Sequence, residues 1–119
     1  MMSQASVLVI EDDPVFQQLV SQYLSQLDYE VQCTDSGRDG IAICQQQLPD
    51  VIICDLQLPD ISGLQVIEAL LALASDLPVI VVSASESMAD IRDAVRLGAW
   101  DYLVKPLDGL TALNDAIQH

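Results

Sequence analysis

Five residues of types suited to chemistry stand at matching places in this 119-residue chain: Glu11, Asp12, Asp55, Ser83 and Lys105 each follow directly on a short apolar run. Val7 to Ile10 leads into Glu11-Asp12, Val51 to Cys54 into Asp55, Val79 to Val82 into Ser83, and Tyr102 to Val104 into Lys105. Carboxylates ~4 Å apart repel by about 4 kcal/mol per pair at an effective dielectric near 20, so three acids gathered in one place call for a cation. Oxygen donors without a nearby imidazole or thiol favour a hard ion, and an open carboxylate site that keeps its waters suits Mg²⁺. Lys105 is the chain's single lysine. A carboxylate flanked by a metal ion and an ammonium is equipped to attack a phosphoryl group, with Asp55 as nucleophile and the two cations neutralising the phosphoryl oxygens. The plainer alternative is that Glu11 and Asp12 only complement a helix N-terminus, which leaves Asp55 and Lys105 without a role.

The elements that must position these residues follow from periodicity. Val51, Ile52 and Ile53 are β-branched and continuous, as in a strand buried on both faces. Val7–Ile10 and Val79–Val82 have the same character, Tyr29 to Thr34 alternates like an edge strand, and a short strand is expected around Tyr102–Val104. Between them lie helical patterns. Asp13 before Pro14 caps a helix to about Leu27, with Phe16, Leu19, Val20, Tyr23, Leu24 and Leu27 on one face. Ser36 with Asp39, and Ser62 with Gln65, open two further helices. The third of these helices has an apolar face that includes Leu64, Ile67, Leu70, Leu71 and Ala74; a fourth runs from about Met88 to Leu97 and stops at Gly98, and a last helical segment spans Leu107 to His119. Five strands alternating with five helices predict a doubly wound α/β fold with a parallel sheet, whose ligand crevice lies at the carboxyl ends of the strands.

Composition limits the function classes. The length fits one domain, and 51% hydrophobic content suffices for a core. Eighteen acids against four Lys and Arg give a formal charge of −14, which leaves no basic patch for nucleic acid. Cys33, Cys44 and Cys54 form no CxxC pair and lie on apolar stripes, so they read as core residues, neither disulfides nor zinc ligands. The start lacks a signal-peptide pattern, and the apolar tract from Val66 is interrupted by Glu68, Asp76 and Pro78, so a soluble, reduced, cytoplasmic protein without membrane contact is expected. The last amphipathic segment has no polar tail, which suggests an N-terminal part of a longer regulator.

The acid pair, the Asp in DLQLPDISG, Ser-Ala after the fourth strand and Lys-Pro after the fifth, in that order, resemble the receiver domain of two-component response regulators over essentially the whole chain. The resemblance implies a five-stranded sheet of order 2-1-3-4-5 and a cis Lys105-Pro106 bond. It implies that Asp55 accepts a phosphoryl group from a histidine kinase, a phosphotransfer protein or a small phosphodonor. Asp12 and Asp55 would bind Mg²⁺ with the backbone carbonyl of Gln57, Glu11 would act through a water, Lys105 would pair with the phosphoryl group, and Ser83 would hydrogen-bond it. Tyr102 would be the switch aromatic that follows Ser83; an ordinary half-buried edge-strand tyrosine is the alternative. The changed face, formed by the fourth helix, fifth strand and last helix, would meet a protein partner, an output domain or, on phosphorylation, a second copy.

Three positions depart from the pattern. Gln57 and Ser85 flank the attacking water in this family and tune the phosphoryl lifetime. Trp100 stands where a small or acidic residue is usual, as a partner anchor or as packing for a neighbouring helix. More narrowly, SASESMADIRDAVRLG with DYLVKPLDGL resembles RssB-type receivers, adaptors that deliver the stationary-phase sigma factor to a protease; a stand-alone or transcription-factor-linked receiver is the alternative. A small Mg²⁺-dependent aspartyl phosphatase would need a second acid at position 57 and a cap, and the chain has Gln57 and no insertion. A receiver-like module that is never phosphorylated is disfavoured by the filled positions.

Overall fold

A computed structural model describes residues 5–106 and 109–118. The elements run β1 (Ser6–Ile10), α1 (Pro14–Gln26), β2 (Glu30–Thr34), α2 (Gly37–Gln46), β3 (Val51–Cys54), α3 (Gly63–Leu73), β4 (Val79–Ser83), α4 (Met88–Leu97), β5 (Asp101–Val104) and α5 (Thr111–Gln118). The strands form one parallel sheet in the order β2-β1-β3-β4-β5. Both the doubly wound architecture and the order expected from the family resemblance are present.

The strand runs are apolar throughout because both faces are covered. Leu8, Ile10, Ile52, Cys54, Val79 and Val81 point to a layer shared with α2, α3 and α4, through Cys44, Ile67, Leu70 and Ala94. The alternate residues Val7, Val9, Val51, Ile53, Ile80 and Val82 point to the other layer, with Val20 and Leu24 of α1 and Leu113 and Ala116 of α5. β2 is the half-exposed edge, as its alternation predicts.

Helix starts follow their caps. The Asp13 carboxylate accepts from the amides of Val15 and Phe16 ahead of Pro14, and Ser62 with Gln65 makes a reciprocal capping box at α3. Gly98 ends α4 in the left-handed conformation at φ 113°. Three expectations need correction. Leu19 and Leu27 are exposed, so the buried stripe of α1 is narrower than its apolar pattern; Leu19 instead borders an open apolar cleft with Phe16, Ala84, Pro106 and Leu110. Val66, omitted from the inward face of α3, is fully buried there. The last helix begins at Thr111; of the segment predicted before it, Leu107 and Asp108 lie outside the described residues.

Candidate phosphoryl-acceptor site

The backbone ladder continues past the strands and fixes the site's main chain. The Glu11 amide donates to the Thr34 carbonyl at 2.9 Å, that of Asp55 to Ile10 at 3.0 Å, and that of Lys105 to Ser83 at 2.9 Å. Residues just beyond the sheet therefore hold positions as firmly as strand residues. β1 and β3 are adjacent while the chain leaves them to opposite sides, so their carboxyl ends form the switch-point crevice of a doubly wound sheet.

Into this crevice project carboxylate oxygens of Glu11, Asp12 and Asp55, all within 4.8 Å of one another. Glu11 and Asp55 are buried and Asp12 is exposed, so the cluster has a held base and an open side. Lys105 Nζ lies 2.5 Å from Glu11 Oε1 and 3.2 Å from Asp55 Oδ2. The second Asp55 oxygen, Oδ1, accepts the Gln57 amide N–H at 3.0 Å. The peptide bond between Lys105 and Pro106 is cis, as expected.

Burial and charge oppose one another here. Removal from water is the largest influence on Glu11 and pushes its carboxyl up to about 7, against the hydrogen bonds from Lys105 and from the Asp13 amide. Desolvation works against the Lys105 ammonium, yet Glu11 and Asp55 together raise its pKa above the ordinary value. With an ammonium at hydrogen-bond distance, the ion pair is the form the geometry supports at neutral pH. Three acids against one ammonium still leave negative charge, and an all-oxygen donor set fits a hard divalent cation.

Of the remaining sequence-predicted residues, Ser83, Tyr102 and Gln57 belong to the surroundings of this centre, whereas Trp100, just before β5, lies at the opposite, amino end of the sheet. Ser83 is fully buried at the end of β4, and its hydroxyl oxygen accepts the Ser85 amide at 3.2 Å. Tyr102 is half-buried on β5, and its hydroxyl donates to the Ser85 carbonyl at 2.9 Å. Ser83 and Tyr102 are thus joined through one residue of the β4–α4 loop. The Ser85 hydroxyl donates to Asp90 Oδ2 at 2.6 Å, which binds that loop to α4. Gln57 is exposed beside Asp55. Trp100 is 52% exposed rather than packed under a helix. Cys44 and Cys54 are buried and Cys33 is half-buried; burial pushes the Cys44 thiol up to about 11, so it stays protonated at neutral pH.

Sequence reasoning missed two contributors. Asp60, in the loop after β3, accepts the Gly37 amide at 2.9 Å and the Arg38 amide and Ser36 hydroxyl at 2.8 Å each, tying the acceptor loop to the start of α2. Phe16, read only as an apolar residue of the first helix, lies with its ring under Lys105. Neither leaves a local signal, because the partners are distant in sequence.

The response regulator receiver domain family matches residues 7–118. The Regulator of RpoS of Escherichia coli K12 is 35% identical over 111 residues, which cover 93% of this chain and 33% of that protein. The chain therefore spans about a third of that relative's length. Protein PilH of Pseudomonas aeruginosa is 33% identical over 112 residues, covering 92% of this chain and 93% of PilH. Among solved structures, the Vibrio cholerae chemotaxis protein CheY4 superposes with a TM-score of 0.89 at 28% identity, covering 98% of both chains.

Proposed function

The chain belongs to the response regulator receiver domain family, and from that premise we propose that it is a phosphorylation-dependent switch whose acceptor is Asp55. One observation carries the assignment. At the end of β3, Asp55 has Oδ1 held by the Gln57 amide and Oδ2 facing Lys105 at 3.2 Å, within reach of two further acids, Glu11 and Asp12. A carboxylate so held is oriented for in-line attack, and orientation is most of what phosphoryl transfer asks of a protein.

Attack forms an oxygen–phosphorus bond to Asp55 and breaks the donor's bond to phosphorus, whose electron pair leaves with the donor. Lys105 keeps its proton and stabilises charge on the transferring group. Glu11, Asp12 and Asp55 are the residues that would hold Mg²⁺, together with the Gln57 carbonyl; the ion supplies neutralisation of the phosphoryl oxygens. Glu11 is already occupied by Lys105 and by the Asp13 amide, which supports an indirect part for it through water. A histidine kinase or phosphotransfer protein is the natural donor.

Ser83 and Tyr102 would carry the event outward. A new acceptor at Asp55 draws the Ser83 hydroxyl, which loosens its hold on the Ser85 amide and so moves the carbonyl to which Tyr102 is tied. The face of α4, β5 and α5, with Met88, Val95 and Trp100 exposed, is the partner surface. Its occupant is an output domain, a protein partner or a phosphorylated second copy. Likeness to the Regulator of RpoS supports residues 1–119 as the receiver of a longer regulator acting on a sigma factor, by delivery to a protease. The near full-length match to PilH favours a stand-alone receiver as the second reading.

Borohydride trapping locates the acceptor. Reduction of the phosphorylated protein converts an acyl-phosphorylated aspartate into homoserine, and peptide mapping is expected to place that residue at position 55. Homoserine at position 12 or 60 would reject the assignment.

A further inference from the structure

Phe16 is the chain's one phenylalanine and Lys105 its one lysine, and the structure places Lys105 Nζ 4.5 Å from the centroid of the Phe16 ring. We propose that Phe16 is a positioning residue for phosphoryl transfer, its ring face holding the Lys105 ammonium at the acceptor site. The proposal rests on the reading of Asp55 as the acceptor.

The need for such a contact arises from the reaction itself. The two anions that hold Lys105 are Glu11 and Asp55. Asp55 exchanges its free carboxylate for an acyl phosphate, and both acids belong to the cluster suited to a divalent cation. The partners of the ammonium therefore change during the event it serves. An aromatic face attracts a cation through its quadrupole, neither titrates nor binds the metal, and gains strength where water is thinned out. Lys105 has only 18% of its side chain exposed.

The ring is held by the same turn that supplies the acids. Asp12 ends the segment after β1, Asp13 caps α1, and the Phe16 amide is among those its carboxylate accepts, at 3.4 Å. Phe16 is half-buried and packs along the α1 and α5 layer. If it only filled space there, leucine would serve as well.

The single phenylalanine makes the test selective, because fluorinated phenylalanine supplied during expression replaces this ring and no other. Successive 4-fluoro, 3,5-difluoro and 3,4,5-trifluoro rings drain the quadrupole with little change of shape. Initial phosphorylation by acetyl phosphate at fixed Mg²⁺ is expected to fall stepwise, by about three- to tenfold across the series. Phe16→Leu should show a loss of that size, and Phe16→Tyr, which restores the ring face, should recover it. In protein labelled with ¹³C-lysine, the Lys105 ε-methylene protons should be shifted upfield by the ring, and Phe16→Leu should abolish the shift. A flat fluorine series in a parent that reacts overturns the role of Phe16 and leaves Asp55 untouched. A parent that takes up no phosphoryl group overturns the Asp55 reading and this role with it.

Discussion

Asp55 and Asp60 occupy one loop and have been given opposite tasks. Asp55 keeps an oxygen facing the Lys105 ammonium, whereas Asp60 spends both oxygens on the N-terminal end of α2. The Arg38 and Gly37 amides and the Ser36 hydroxyl hold the Asp60 carboxyl well below the usual carboxylate range. A folded-state pKa depressed below the unfolded one adds stability that is present above the ordinary value of 3.8 and is lost as pH falls below it toward the folded-state value. Asp60→Asn should therefore lower the urea midpoint at pH 7 and flatten its decline in acid below about pH 4. An equally steep acid decline in the variant would show that the Asp60 contacts contribute nothing. The motif DLQLPDISG announced Asp55 because a carboxylate ending an apolar strand is unusual. It could not announce Asp60, whose partners lie 22 to 24 residues earlier and meet it only in the folded chain.

Elements were legible in the sequence wherever a cap or a continuous apolar run marked them. Helix α4 spans the anticipated Met88–Leu97, because Ser87 caps one end and Gly98 the other. The buried face of α1 was less legible: its apolar stripe also serves an open cleft, and periodicity cannot distinguish a core from a groove. The approach of α3 to the acceptor strand was not legible at all. A Cβ at Gly63 would lie 2.2 Å from the Asp55 carbonyl oxygen and 2.5 Å from Leu56 Cα, both backbone atoms that cannot swing aside. Gly63→Ala should thus destabilise the domain by about 2–4 kcal/mol and slow phosphorylation together, since relief requires Asp55 to shift. Chemical denaturation with a parallel phosphorylation assay checks this. A stable variant that reacts at the parent rate would mean that the loop accommodates the methyl group freely.

At the scale of the molecule, charge dominates. A formal charge of −14 on 119 residues makes self-repulsion a general cost, and Lys105, one of only four Lys and Arg, is engaged in the acidic crevice. NaCl should raise the melting temperature by screening. At matched ionic strength MgCl₂ should raise it further, by the equivalent of about 2.7 kcal/mol once the ion reaches a hundredfold excess over its Kd. Asp12→Asn should remove that increment and keep the NaCl effect; identical melting in the two salts would contradict a specific cation site. No helix among the described residues is long and apolar enough to cross a membrane. The exposed Trp100, by contrast, should be nearly neutral for folding, with Trp100→Ala changing stability by about 0.5 kcal/mol or less while weakening partner binding. The functional expectations depend on Asp55 accepting a phosphoryl group, and intact mass reports that on the whole protein. After incubation with acetyl phosphate, the parent should gain a single phosphoryl group when Mg²⁺ is present and none when it is chelated, and Asp55→Asn should gain none in either case. An adduct that forms on Asp55→Asn as readily as on the parent would contradict the account.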